Sequence, residues 1–435
     1  VFITGRLAVA IAVGIVPLVI AGLAGYPAYA VLGAWIALCL LLVAVDVALA
    51  ASPRSVTVSR RLPARARLGE PVPVSVAVHN HGSRALNATL RDAWQPTAGA
   101  PLDRQRLHIA PGERGRVAIP LLPRRRGELV SEFVMLRSRG PLGIAGRQAR
   151  HVVRGAIRVL PAFSSRKHLP SRLARLRELD GNTSIQVRGQ GTEFDSLREY
   201  VRGDDVRSID WRATARAGTT MLRTWRPERD RHVVIIIDTG RTAAARVGDG
   251  TRVDASLEAA LLLAALASRA GDHVHLLMYD RVVRARVTGV DGAALLPALT
   301  DAMAPVHARL VDTDWHGAFT AVRTLTTRPS LIVALTAQDA AESARGFLGA
   351  FPNASRATTV LVGSVTDDGI SALARRRDSR EDVYLAAAAE RTLRDAENVA
   401  DAIRRAGGEA IAADPEELPP RIADRYLELK AAGRL

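Results

Sequence analysis

The sequence predicts a multidomain chain: an N-terminal transmembrane helical hairpin, an antiparallel β-sandwich, and a doubly wound α/β domain. Three observations carry this. Residues 1–51 hold two uncharged apolar runs; residues 52–161 alternate apolar and polar side chains at period two; residues 230–435 alternate strand-like runs such as HVVIIID with helix-period stretches.

The two apolar runs, about 7–24 and 29–45, flank the turn GYPA. At about 1.5 Å rise per residue, each is near the length that crosses a hydrocarbon core of about 30 Å. In lipid, their backbones can satisfy themselves only as helix. The length of the first run and the immediate second one argue against a cleaved leader. Pro17 is expected to kink the first span. Asp46, the one ionisable group near the second span, is expected to mark the inner interface, its carboxylate at headgroup depth. Arg6 before the hairpin and Arg54, Arg60, Arg61, Arg65 and Arg67 after it place both ends in the cytoplasm. The expected localisation is the cell membrane, multi-pass, with the soluble domains facing the cytoplasm. The only cysteine, Cys39, lies within the second span, in keeping with a reducing compartment for the rest.

The net charge of +16 is uneven. Residues 52–187 carry 25 Lys/Arg against 8 Asp/Glu, whereas residues 188–435 carry 34 against 35. The excess therefore sits beside the hairpin, where anionic headgroups attract it by about 1 kcal/mol per well-placed cation. Nucleic acid is the weaker reading: Trp94, Phe133 and Phe163 are the only Phe, Tyr or Trp residues in this stretch, too few for base stacking.

Within 52–161, the runs SVTVSRRL, PVPVSVAVHN, LNATLRDAW, RVAIPLL, ELVSEFVML and AIRVLP predict about seven strands of a basic sandwich. His81, His108 and His151 lack ligand spacing and are expected at the surface. In 230–435 the strands HVVIIID, HVHLLMY, VVRARV, LIVALT, TTVLVG and EAIAA alternate with helices at about 253–270, 293–303, 316–325, 389–406 and 418–432. No phosphate-cradling GxxxxGK[ST] or GxGxxG follows a strand, and no GxSxG nucleophile elbow occurs, so no catalytic motif is present.

Residues 162–229 read as a connecting segment, and its stretch 188–216 is the most distinctive in the chain. RGQGTEFDSLREYVRGDDVRSIDWRATAR holds six Arg and six carboxylates, interleaved with Phe194, Leu197, Tyr200, Ile209 and Trp211. Such a string can neutralise itself through Arg–carboxylate pairs. Asp204, Asp205 and Asp210 have no Lys in the stretch, and no His nearer than His232, to share proton work. A structural or partner-docking network is favoured over catalysis, with Trp211 expected to anchor the segment in a core.

The elements RGxGxEF, LREY, GDD, RxIDW and ATAR within 188–216 resemble the signature of bacterial proteins grouped as domain of unknown function 58. The residues that carry the resemblance are Arg188, Gly191, Glu193, Arg198, Tyr200, Gly203, Asp204, Asp205, Arg207, Asp210 and Trp211. RRRGELV, PLGI, RPERDRHVVIIID and YLELKAAGRL extend it over nearly the whole chain. The resemblance implies a von Willebrand factor A-like domain at 230–435 and association with MoxR-type AAA+ ATPases. It also implies a place for a metal-ion-dependent adhesion site. Asp238 and Thr242 in DTGRT would supply the first loop and Thr313 the second, but Gly240 lacks a hydroxyl and the third position falls on Ala337. Such a set holds few oxygens for Mg²⁺, and Arg241 adds charge where the ion would sit. A metal-free fold in which Asp238 caps the following turn is the favoured reading.

The expected function is a membrane-anchored, cytosol-facing scaffold that docks other proteins. The expected partners are the lipid bilayer and a MoxR-type ATPase or its client. The rivals are a metal-dependent hydrolase on the Asp238/Thr313 rim and, more distantly, a nucleic-acid binder.

Overall fold

The computed structural model describes residues 1–101, 104–186, 193–202, 204–226, 231–356 and 358–435. The chain divides into two compact units, Val1–Leu160 and Pro161–Leu435.

In the first unit, α1 (Gly5–Val13) and α2 (Ile15–Leu23) form an apolar helical stretch of 19 residues, and α3 (Ala28–Leu49) is an apolar helix of 22. Both are long and apolar enough to cross a membrane. The break at Gly14 follows from Pro17, which has no N–H to offer the carbonyl of Val13. The Trp35 indole of α3 donates to the carbonyl of Ala10 (3.2 Å), close to that break.

The strands are β1 (Phe2–Ile3), β2 (Val56–Arg61), β3 (Arg65–Arg67), β4 (Ser75–Asn80), β5 (Leu86–Trp94), β6 (Gln105–Ile109), β7 (Arg114–Ala118), β8 (Gly127–Arg139) and β9 (Ala145–Leu160). They form one sheet ordered β1-β9-β8-β5-β6, with β3 beside β9, and a second ordered β2-β4-β7. Val76, Val78 and Val117 of the small sheet and Leu86, Leu90, Leu136 and Ile157 of the large one bury a common core. That is the arrangement expected of a sandwich. The expected purely antiparallel pairing fails in one place: β3 returns to run parallel to β9.

Two charged residues are held inside this unit. Asp46, expected to mark the inner interface, is engaged by protein groups. It is fully buried and accepts from the N–H groups of Leu142, Ile144 and Ala145, each at 2.8 Å, in the turn between β8 and β9. The last carbonyls of α3 are held as well, Val47 by Arg147 Nε (2.8 Å) and Ala48 by Arg84 Nη1 (2.7 Å). Arg60, one of the arginines that follow the hairpin, is buried in an ion pair with Asp92 (2.5 Å), which also accepts from Ser131 and the Trp94 indole.

The second unit begins with α4 (Leu169–Gln186). This helix is no mere connection: Leu176 is buried in the unit's core, and Arg172 pairs with Asp424 at 2.7 Å. A hairpin follows, β10 (Glu193–Glu199) and β11 (Met221–Arg226), with α5 (Trp211–Ala217) between them. Then come β12 (His232–Asp238), the short pair β13 (Arg246–Val247) and β14 (Gly250–Thr251), α6 (Arg252–Arg269), β15 (His273–Tyr279), β16 (Val283–Val287), α7 (Leu295–Met303) and α8 (Trp315–Val322). The chain ends with β17 (Leu331–Leu335), α9 (Ala341–Ser355), β18 (Thr359–Val365), α10 (Asp368–Leu373), α11 (Arg380–Arg405), β19 (Glu409–Ala413) and α12 (Leu418–Ala431).

The sheet order is β16-β15-β12-β17-β18-β19, parallel except for β16. Alternate residues of β12 explain the layers. Val233, Ile235 and Ile237 pack with α6, α7 and α12, while Val234 and Ile236 pack with α8, α9 and α11. Burial on both faces is why HVVIIID reads as an unbroken apolar run. From β12 the chain crosses to β15 on one side, and β17 lies on the other. The strand order therefore reverses at β12/β17, and the crevice of such a sheet opens beyond the carboxyl ends of those strands.

Candidate functional site

The sequence motif forms an arm. Strands β10 and β11 pair antiparallel from Glu193↔Arg226 to Glu199↔Met221, and the residues between them are held by carboxylates. Asp204 takes the Arg198 guanidinium (2.6 Å) and the Val201 N–H (2.9 Å). Asp205 caps a short turn through the Arg207 N–H (3.0 Å). Asp210 is the N-cap of α5, accepting from the Arg212 and Ala213 N–H groups at 2.9 and 3.0 Å, and it pairs with Arg223 at 2.8 Å. The Ala213 N–H, then Arg223, hold the Asp210 carboxyl below the usual range, and the hydrogen bond to Asp204 raises Arg198. All three carboxylates are thus engaged in shaping the arm. Arg223 lies beyond the expected motif; a register-paired strand, not sequence adjacency, brings it to Asp210.

Trp211 corrects the sequence reading. It is 71 % exposed, not a core anchor; it opens a short helix that packs against β11. Val201 and Val206 are 62 % and 60 % exposed, while Leu222 of β11, opposite Arg198, is buried. The Tyr200 backbone N–H is bound to Thr220 O (2.7 Å), and its side chain is partly exposed. Arg188, Gly191 and Gly203 lie outside the described residues, and Glu193 is placed by its backbone pairing.

The second candidate lies in the crevice. Asp238 ends β12 and is buried, 2 % exposed. Oδ1 accepts from the Gly240 N–H (2.8 Å) and the Thr313 hydroxyl (2.5 Å); Oδ2 accepts from the hydroxyls of Thr242 (3.1 Å) and Thr336 (2.6 Å). The structure therefore brings the three sequence-predicted residues together and adds Thr336. Thr336 directly precedes Ala337, the position where the resemblance would place the third-loop carboxylate, and it was not among the residues the resemblance implied. Gly240 lacks a side chain for a steric reason: a Cβ would collide with Thr313 Oγ1. Arg241 points its charge elsewhere, pairing with Asp312 at 2.8 Å, and Asp339 pairs with Arg252.

Asp238 is the one carboxylate of this set, and its oxygens accept from the Gly240 N–H and the hydroxyls of Thr242, Thr313 and Thr336, fewer charged oxygens than a hard divalent ion usually takes. Among the described residues no cluster of three or more His, Cys, Asp or Glu side chains could hold a metal. The Oγ1 of Thr239 and the Oε1 of Gln338, both buried beside Asp238 in sequence or through Thr336, have no hydrogen-bond partner.

Residues 196–399 match the family model described as "Protein of unknown function DUF58". Over this region the match supports the DUF58 family. The match runs from β10 into α11 and so includes both the arm and the Asp238 crevice. No curated protein sequence matches the chain. Among solved structures, it is similar to the CARDB domain of a Pyrococcus furiosus protein, with 14 % identity over 24 % of this chain and 94 % of that one (TM-score 0.20). It is also similar to alpha-2-macroglobulin from Escherichia coli, with 18 % identity over 26 % and 17 % of the two chains (TM-score 0.22). The methylamine-reacted Salmonella alpha-2-macroglobulin gives 17 % identity over 24 % and 7 % (TM-score 0.20).

Proposed function

We propose that this DUF58 protein is a membrane-anchored scaffold, facing the cytosol, whose arm docks another protein. The exposed Trp211 carries the reading. A tryptophan at 71 % exposure, with the exposed Val201 and Val206 in the same arm and arginines on the same element, has the composition of an interface core before its partner arrives. The carboxylates hold the arm in shape, so the apolar groups are presented by a fixed surface. Resemblance to the wider family points to a MoxR-type AAA+ ATPase, or its client, as the partner. The strand order, with β16 antiparallel at one edge, supports the von Willebrand factor A-like reading of the α/β unit.

Capture from native membranes tests this. Trp211→Ala is expected to lower recovery of the MoxR-type ATPase by about tenfold or more, the scale of a hot-spot truncation. Undiminished recovery would move the docking surface off the arm.

The rival reading, a metal-dependent hydrolase at Asp238 and Thr313, draws on the unpartnered oxygens of Thr239 and Gln338. The saturated Asp238 carboxylate favours a hydrogen-bonded lock instead. Millimolar Mg²⁺ is therefore expected to leave the melting temperature of the purified protein unchanged. A rise that follows Mg²⁺ concentration would revive the rival.

A further inference from the structure

The outer face of the larger sheet concentrates charge around a groove. By period two, Thr89, Arg91 and Ala93 of β5 share a face, as do Phe133, Met135 and Arg137 of β8. Pairing sets Arg91 opposite Met135 and Thr89 opposite Arg137. Together with Arg104, these side chains line a groove of about 180 Å³. Among the described residues, Arg91, Arg104 and Arg137 form no ion pair; Arg137 donates only to Gln148 Oε1, at 3.2 Å. Burial, then the charges of Arg104 and Arg91, push the Arg137 guanidinium below its ordinary value. Three like charges that repel one another around a cavity are relieved by an anion placed between them. The floor is different in kind: Phe133, Met135 and Ala93 are apolar. The occupant that matches both parts has an anionic head and an apolar body.

The groove also has a defined depth within its unit. The Arg137 guanidinium lies 5.4 Å from the centre of the Phe2 ring. Phe2 belongs to β1, which leads through Thr4 directly into the apolar helix that starts at Gly5. Strand β8 ends in the turn that clasps Asp46 of α3. The arginines are therefore at the end of the sandwich from which the apolar helices depart.

We propose that the groove between Arg91, Arg104 and Arg137 binds the phosphate of an anionic phospholipid in the leaflet beside the hairpin, with its glycerol and first acyl carbons on Phe133 and Met135. This rests on the membrane-anchoring part of the reading above. The groove would select which lipids surround the anchor, a role that a merely basic surface does not have.

The test uses the full chain in a neutral detergent, titrated calorimetrically with dioctanoyl phosphatidylglycerol, dioctanoyl phosphatidylcholine and inorganic phosphate. Phosphatidylglycerol is expected to bind at least about tenfold tighter than either of the others. The triple variant Arg91→Gln/Arg104→Gln/Arg137→Gln should lose that preference, and Arg114→Gln/Arg116→Gln, on the exposed side of the other sheet, should keep it. A triple variant that binds as the parent does would overturn the site. Equal affinity for inorganic phosphate would assign the groove to a free anion instead of a lipid. Extraction of membranes at alkaline pH separates this from failure of the anchoring itself. A chain that stays in the bilayer but shows no lipid preference refutes the groove alone, whereas a chain that washes out refutes the anchor on which the groove depends.

Discussion

The arm and the Asp238 crevice hold similar chemical materials and use them in opposite ways. Both were singled out by aspartates close to hydroxyl or guanidinium partners. On the arm the aspartates cap turns at the surface, and the apolar residues Trp211, Val201 and Val206 are left outside. In the crevice the aspartate is inside, and every oxygen it offers is already taken. A carboxylate whose hydrogen bonds are all internal stabilises a fold; apolar groups held out in water by a well-capped frame wait for a partner. Exposure of the neighbours, more than the identity of the acid, separates the two cases.

Three measurements can break this contrast. Asp238→Ala should have the largest effect, because it strands a buried N–H and three hydroxyls. At about 1 kcal/mol or more for each of the four stranded groups, a loss of about 4 kcal/mol is expected in denaturant melts. A loss under about 1 kcal/mol would mean that the cluster is loose enough to admit an ion or water. Acid should act next, and locally. The folded pKa of Asp210 is depressed, so its contribution is complete above the unfolded carboxylate value of about 3.9 and drains as pH falls through the folded value. Amide exchange, corrected for intrinsic rates, should show α5 opening in acid ahead of α6, and Asp210→Asn should remove that acid dependence. Simultaneous opening of both helices would make the arm part of the same cooperative unit as the sheet. Trp211→Ala should have the smallest effect on stability, within about 0.5 kcal/mol, as for other surface changes. Early melting of that variant would return Trp211 to the core role that its exposure denies.

The sheet was legible because fully buried parallel strands leave continuous apolar runs; β12 and β15 fall where HVVIIID and HVHLLMY predict them. Helix α9 was not read, since Gly346, Gly349 and Pro352 weaken its pattern, and α11 begins at Arg380, earlier than the expected 389, because its first turns are mostly exposed. Of the crevice, Asp238, Thr242 and Thr313 were reached through the family resemblance, but Thr336 was not, as a single hydroxyl carries little signal. Trp211 was misjudged for a related reason. A lone tryptophan in a charged string has no periodic neighbours to say which way it faces, and only the hairpin register of β10 and β11 decides it. The partners of Asp46 were not read because they are backbone amides nearly a hundred residues away, which no side-chain pattern announces.

That carboxylate alters what kind of joint links the sandwich to its helices. A single helix in a bilayer is free to spin about its long axis and to swing at its exit. Here the exit of α3 is riveted by three amides on Asp46 and by Arg147 and Arg84 on its last carbonyls. The sandwich therefore keeps one azimuth relative to the helix beneath it. In the membrane-anchored reading proposed above, a sideways load on the sandwich would be felt as a torque that tilts α3, as a lever moves its pivot, and would not be lost in the slack of a tether.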